Sequence, residues 1–242
     1  MNAFFCRGGT KKDMIDVLER NEPSSYTKYV EPFVGGGAVY WSKSEEDIPK
    51  VINDLDKDLI TGYKKLKSGN IKGIERYDSN NLDVLNMWFK YVGSADTKTL
   101  VKSILVCNTF GSVNKGKIYK PSSPYNKLKK VPEYRAKMSK TTITNKDYLA
   151  VIKEHDGVGT YFFIDPPYVE SSKGVYKHNS ISADNMADEL SKIKGKFILT
   201  IDDTSSNRNI FSKFNIKSHT VKAKSNAGFG SKDRSDLIIT NY

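Results

Sequence analysis

Asp165 is followed at once by Pro166, Pro167 and Tyr168, and the apolar run "TYFFI" at 160–164 leads into it. The prolines remove backbone donors and forbid helix continuation, so a strand must end here in a fixed, extended turn. A carboxylate, a rigid carbonyl and an aromatic ring are then presented together. The chemistry that needs such a group is attack by an exocyclic amine of a nucleobase, whose lone pair is delocalised into the ring. Two acceptors on the amine hydrogens, the Asp165 side chain and the Pro166 carbonyl, would help localise that pair, and Tyr168 would stack on the base. This is catalysis by positioning and electrostatics, with no covalent enzyme intermediate. As a bare turn the same four residues would be structural, so their meaning depends on what lies upstream.

Upstream, "VEPFVGGGAVYW" places Glu31 at a strand end and Gly35, Gly36 and Gly37 in the turn after it. Glycines let a backbone pass close to a ligand, although a plain tight turn explains them about as well. No Gly-Lys-Ser/Thr follows, and Tyr40 stands where a dinucleotide fingerprint needs a small residue, so a cofactor without a pyrophosphate is favoured over NAD. About twenty residues on, Asp54 in "VINDLDKD" is placed to take both hydroxyls of a ribose, while Asp56 or Asp58 caps the helix that follows.

These residues need a frame, and the periodicity supplies one. "KKDMIDVLERN" reads as a helix, "YTKYVEPF" as a strand into the glycine turn, and "KVINDLDKDLITGYKKL" as a strand, an acidic turn and a helix. Residues 62–140 break this rhythm with helical stretches ("LDVLNMWFKYV", "TKTLVKSILV") and the turn-rich "FGSVNKGKIYKPSSPYNKLKK", in which "SVNKGKIY" is a hairpin signal. After Thr141 strands ("TTIT", "TYFFID", "KFILTID") alternate with helices ("DYLAVIKEH", "ADNMADELSKI"), and "RNIFSKF", "IKSHTVKAK" and "SDLIITNY" supply a helix and two closing strands. We therefore expect an α/β domain over 1–61 and 141–242, interrupted by an inserted region over 62–140.

The chain has 242 residues, a formal net charge of +11 and two cysteines. Cys6 and Cys107 are far apart and in no metal or redox spacing, which fits a reducing, cytoplasmic setting without a metal. No apolar run is long enough to span a bilayer. The positive charge points to a polyanionic partner. Lys127, Lys129, Lys130 and the lysines of the hairpin lie among aromatic residues such as Tyr119, Tyr125 and Tyr134, with Glu133 the single acid between Lys98 and Lys140. That mixture suits phosphates and bases better than a lipid face, against the alternative of a solvated lysine-rich surface.

Taken together, these motifs resemble the DNA adenine-N6 methyltransferases of the Dam, or D12, class over nearly the whole chain. "EPFVGGGAVYW" is similar to the first S-adenosylmethionine motif of that family, "NDLDKDLITGYKKL" to its second and "DPPY" to its catalytic motif, in the family's order. The resemblance implies a Rossmann-like seven-stranded mixed sheet with an inserted, mainly helical target-recognition region. It implies methyl transfer from S-adenosyl-L-methionine to adenine N6 in double-stranded DNA, the base flipped into the pocket, by a monomer or a weak dimer on DNA. Catalysis would rest on Asp165, Pro166, Pro167 and Tyr168. The cofactor would be met by Cys6, Arg7, Gly8 and Lys11, by Glu31, Phe33, Gly35 and Gly37, by Asp54 at the ribose, by Asp147 and Tyr148 at its adenine, and by Asp165. A helix N-cap is an equal reading of Asp147. DNA would be met by Ser112, Asn114, Lys115, Lys117 and Lys120 of the hairpin and by Lys127, Lys129 and Lys130.

The chain also departs from the family. Cys6 and Thr10 stand where an aromatic residue and a lysine are usual, with Phe5 and Lys11 one step away. Ser112 and Val113 precede the hairpin Asn114 where an arginine is common, so a GATC target does not follow. A second glycine-rich basic loop, "KSNAGFGSKDRS" at 224–235, reads as a mobile hairpin or a lid on the DNA side. N4-cytosine methylation, RNA adenine methylation, and DNA binding without turnover are the competing readings. C5-cytosine methylation is disfavoured, because neither cysteine lies at the catalytic turn.

Overall fold

The computed structural model describes residues 1–5, 7, 9–43, 46–91, 93–105, 123–167, 181–221 and 233–242. The strands are β1 (Lys28–Glu31), β2 (Lys50–Asn53), β3 (Thr141–Thr144), β4 (Thr160–Ile164), β5 (Lys196–Asp202), β6 (Asn215–Val221) and β7 (Arg234–Thr240). They form one seven-stranded sheet in the order β3-β2-β1-β4-β5-β7-β6. β1, β4 and β5 run parallel, and β7 is antiparallel to both β5 and β6. This is the Rossmann-like mixed sheet of the expected fold class. The order reverses between β1 and β4, and ligands of open α/β sheets bind beyond the carboxyl ends of the strands at such a point.

The helices are α1 (Ile15–Arg20), α2 (Ala38–Ser42), α3 (Lys57–Ser68), α4 (Leu82–Tyr91), α5 (Ala95–Leu105), α6 (Tyr125–Leu128), α7 (Val131–Lys137), α8 (Tyr148–His155), α9 (Ala183–Leu190) and α10 (Ser205–Ile210). Their ends follow local chemistry. The Asp56 side chain accepts from the amides of Asp58 and Leu59, which makes it the N-cap of α3. Ser182 and Thr204 cap α9 and α10 in the same way. Between α3 and α7 the described residues are helical or irregular; the hairpin "SVNKGKIY" lies outside the described residues.

The chain divides into two compact units, one of residues 1–10, 34–47 and 52–146, the other of residues 11–33, 48–51 and 147–242. This line does not follow the expected boundaries at 62 and 140, because α3 to α7 group with the glycine turn and the N-terminal ten residues. The physical reason is an aromatic core within the first unit. Phe4 meets Phe5 and Tyr134 edge-on at centroid distances of 5.0 and 4.8 Å, Phe5 meets Tyr63 of α3 at 4.9 Å, and Trp41 of α2 meets Tyr134 of α7 at 4.7 Å. Arg135 of α7 donates to the carbonyls of Leu66 and Gly69 and so satisfies the end of α3.

In the second unit the strands alternate strictly. Val30, Phe162, Ile164, Phe197, Leu199, Leu237 and Ile239 form one apolar face, packed with Val151 and Ile152 of α8 and Met186 and Leu190 of α9. The opposite face carries Tyr29, Glu31, Tyr161, Phe163, Thr200, Asp236 and Ile238, all buried. A buried face holding two acids and three hydroxyls is not built for stability alone.

Candidate active site

The second unit brings Asp165 to the switch point. It follows directly on β4, whose Ile164 pairs with Leu199, so Asp165 stands beside Thr200 on the polar face of the sheet. The Thr200 hydroxyl donates to Asp165 Oδ1 at 2.8 Å, and Lys11 Nζ lies 2.8 Å from the same oxygen. Lys11 is only 3 % exposed, so its charge is committed to the interior. Burial raises the Asp165 pKa, Lys11 and the Thr200 hydrogen bond oppose that rise, and the charge of Asp236 adds to it. At the end of β1, Glu31 is 1 % exposed and accepts from the Tyr29 hydroxyl at 2.5 Å. Burial first, then the neighbouring Glu31, holds the Tyr29 hydroxyl well above its ordinary pKa, so Tyr29 stays a donor.

Phe33 and Tyr148 are brought together, their rings 5.0 Å apart and inclined at 32°. Burial, reinforced by Asp147 and Glu189, pushes the Tyr148 hydroxyl up to about 12. Asp147 accepts from the Leu149 amide at 2.9 Å and is the N-cap of α8, the alternative weighed for it from sequence. Pro166 and Pro167 continue in irregular backbone; Tyr168 lies outside the described residues.

The first unit holds the glycine turn and Asp54. Gly35 and Gly37 have φ of 47° and 73°, a left-handed conformation that favours glycine. A Cβ on Gly37 would stand 2.6 Å from the Tyr63 hydroxyl, whereas one on Gly35 would meet nothing within 4 Å, so the turn offers bare backbone to an approaching ligand at Gly35. Asp54 takes the Gly35 amide on Oδ2 and the Asp56 amide on Oδ1, each at 2.9 Å. The second bond draws Asp56 onto Asp54 while Asp56 caps α3, the capping role expected of Asp56 or Asp58. Burial raises the Asp54 pKa against these two hydrogen bonds.

Two amides that sequence reasoning passed over fix this turn. The Asn53 side chain accepts from the Thr144 hydroxyl and the Lys146 amide, and donates to the Lys146 carbonyl, at 2.8 to 2.9 Å. The Asn145 amide group donates to the carbonyls of Asp54 and Leu55 at 2.7 and 3.2 Å. Thr200, Asp236, Asn53 and Asn145 had one signal in the sequence, a polar residue inside or at the end of an apolar run. It marks a position but names no partner.

Other expected residues are distributed unevenly. Arg7 lies 3.6 Å from Asp56, while Cys6 and Gly8 lie outside the described residues. Lys11, expected at the cofactor, is placed on the Asp165 carboxylate. Lys127, expected at DNA, turns inward: its Nζ donates to the Phe4 carbonyl at 2.6 Å, and burial lowers its pKa to about 8. Lys129 and Lys130 are exposed, with Lys129 Nζ 5.6 Å from the centre of the Tyr125 ring. Ser112, Asn114, Lys115, Lys117, Lys120, the second cysteine Cys107 and most of the 224–235 loop lie outside the described residues. Among the described residues there is no cluster of His, Cys, Asp and Glu that would hold a metal, and no helix is long and apolar enough to cross a membrane.

The chain is 23 % identical over 270 residues to the Type II methyltransferase M1.LlaDCHI of Lactococcus lactis subsp. cremoris, covering 97 % of this chain and 93 % of that protein. It is 25 % identical over 287 residues to the Type II methyltransferase M.MjaIII of Methanocaldococcus jannaschii, covering 100 % and 99 %. Among solved structures, a putative methyltransferase, yhhF, from Escherichia coli is similar at a TM-score of 0.43 and 8 % identity, over 98 % of this chain and 90 % of that one. The family profile described as "D12 class N6 adenine-specific DNA methyltransferase" matches residues 8–92 and 97–225. With most of its length matched, the chain belongs to the D12 class of N6 adenine-specific DNA methyltransferases.

Proposed function

We propose that the protein transfers a methyl group from S-adenosyl-L-methionine to N6 of an adenine flipped out of duplex DNA. The observation that carries this reading is Asp165, a largely buried carboxylate at the switch point whose Oδ1 is fixed by Lys11 and Thr200. Among the described residues no partner engages Oδ2, which is the oxygen available to the amine. The rigid Pro166 carbonyl follows it, and Tyr168 would stack on the base.

The donor set suits a sulfonium-bearing cofactor. Glu31 and Asp165 end neighbouring strands on the same sheet face, and their carboxylates favour a cation. Phe33 and Tyr148 of the second unit offer aromatic surface to its adenine, with Asp147 beside them; for Asp54 and Gly35 of the first unit the roles at the ribose and the glycine turn are those the family resemblance implies. When bound, the cofactor supplies an activated methyl group. The protein's own part is to hold the amine in line, take hydrogen bonds from its two hydrogens and exclude water.

The insertion, through its hairpin and the exposed Lys129 and Lys130, would face DNA. Incubation with tritiated cofactor should label the N6 position of adenine in DNA, and label found only in RNA or on cytosine would overturn the reading. Asp165→Ala should keep DNA binding while methyl transfer at saturating cofactor falls at least ~100-fold, on the scale of a lost transition-state acceptor.

A further inference from the structure

Asp165 Oδ1 is held by two donors of different kinds. Lys11 Nζ lies 2.8 Å away on a buried side chain, and the Thr200 hydroxyl donates at 2.8 Å from a residue that is 0 % exposed. Thr200 is the one polar residue in the buried run 197–201 of β5, and it pairs in register with Ile238 of β7. Among the described residues its hydroxyl bonds only to Asp165, so this bond is what offsets the burial of a hydroxyl there. The two donors differ in what they permit. An ammonium group donates and never accepts, whereas a hydroxyl does either. Lys11 therefore fixes the kind of atom that can face it. Thr200, β-branched and anchored within a strand, fixes the plane of a carboxylate whose own χ2 is loosely defined.

We propose that Lys11 and Thr200 are positioning residues that form a polarity lock on position 165: by committing Oδ1 to two donors they make the site demand a carboxylate there and reject an amide. The inference rests on the function proposed above and adds to it a rule for that position. A carboxylate carries an acceptor at each end, so it satisfies both donors with Oδ1 and still offers Oδ2 to the amine. An amide carries a single acceptor oxygen. In Asp165→Asn that oxygen is drawn to Lys11, and the NH2 group takes the place of Oδ2, where the amine hydrogens arrive; donor then meets donor. Removing the ammonium group lifts the restriction. The Thr200 hydroxyl can then turn and accept from the amide, leaving the amide oxygen to face the amine. Polarity thus resides in Lys11 and orientation in Thr200, and both act on the reaction through the side chain at 165.

The test is a double-mutant cycle on methyl transfer to DNA by the whole protein at saturating cofactor. Asp165→Asn should lower kcat at least ~100-fold, as far as Asp165→Ala does. Adding Lys11→Met to Asp165→Asn should raise kcat about tenfold above Asp165→Asn alone, although Lys11→Met by itself lowers it, a coupling of opposite sign to simple additive damage. Thr200→Val, which keeps the shape and removes the donor, should lower kcat about tenfold with KM for DNA unmoved, and Thr200→Ser, which keeps the donor, should rescue kcat. A double variant no faster than Asp165→Asn overturns the proposal, as does a Thr200→Val loss that falls on KM or that Thr200→Ser shares. A proton NMR readout is independent of turnover: in Asp165→Asn without ligands, a nuclear Overhauser contact from the new side-chain amide hydrogens to the Lys11 ε-methylene also overturns it. The Thr200 pair, each differing from the wild type by one heavy atom, decides the case if the amide variants do not fold. Failure of the wild type to methylate adenine in DNA would instead overturn the reading on which the proposal rests.

Discussion

Asp54 performs two tasks with one carboxylate. Its oxygens hold the Gly35 amide and the turn before α3, so the acid expected at the ribose also fixes the glycine turn beside it. Gly37 is constrained from both sides, by a left-handed backbone and by neighbours that leave no room. At Gly37 a methyl group would collide with the Tyr63 hydroxyl, which itself donates to the Gly35 carbonyl at 3.1 Å. Gly37→Ala should lose about 1–2 kcal/mol from the left-handed conformation alone, with more from the collision, read by denaturant unfolding. Cofactor binding should weaken with it. At this scale the positions of the acids were legible, since Glu31 ends β1 and Asp54 and Asp165 follow β2 and β4 as the sequence pattern suggests. Their partners were not: nothing in the spacing of Lys11 and Asp165, or of Asn145 and Asp54, says that they touch.

The elements were largely legible, since the five inner strands carry apolar runs and the helices α3, α8, α9 and α10 carry side-chain caps. What the pattern concealed was which elements share a core. A lysine-rich stretch reads as a surface, yet Lys127 of α6 and Arg135 of α7 spend their charges on the carbonyls of Phe4, Leu66 and Gly69. They hold the N-terminal segment and the end of α3. Lys127 carries a pH dependence with a definite sign. Its folded pKa is about 8 against an ordinary value of 10.5, so between these pH values the unfolded chain binds more protons and stability rises with pH. Lys127→Met should flatten the slope of unfolding free energy between about pH 8 and 10, measured by urea titration. A slope that persists in the variant would place the ionisation elsewhere.

For the molecule as a whole, the formal charge of +11 counts inward-turned cations such as Lys11 and Lys127 together with those of the surface. Lys129 and Lys130 stay exposed beside Tyr125, and binding of phosphates by them should show as salt dependence. Replacing both with alanine should reduce the slope of log affinity for duplex DNA against log salt by about 0.9 for each phosphate no longer neutralised, while leaving the preferred target sequence unchanged. Net charge announced the class of partner, but the division of that charge between interior and surface came only with the tertiary packing. The second unit carries a different division, between the two faces of its sheet. On the side of Leu199 and Leu237 the neighbours are apolar and side chains of similar volume are interchangeable; on the side of Thr200 and Asp236 the polar groups stand in line with Asp165. Mutational tolerance along β5 and β7 should therefore alternate with every residue, so that one face is free to drift through hydrophobic repacking while the other confines the lineage to a single chemistry.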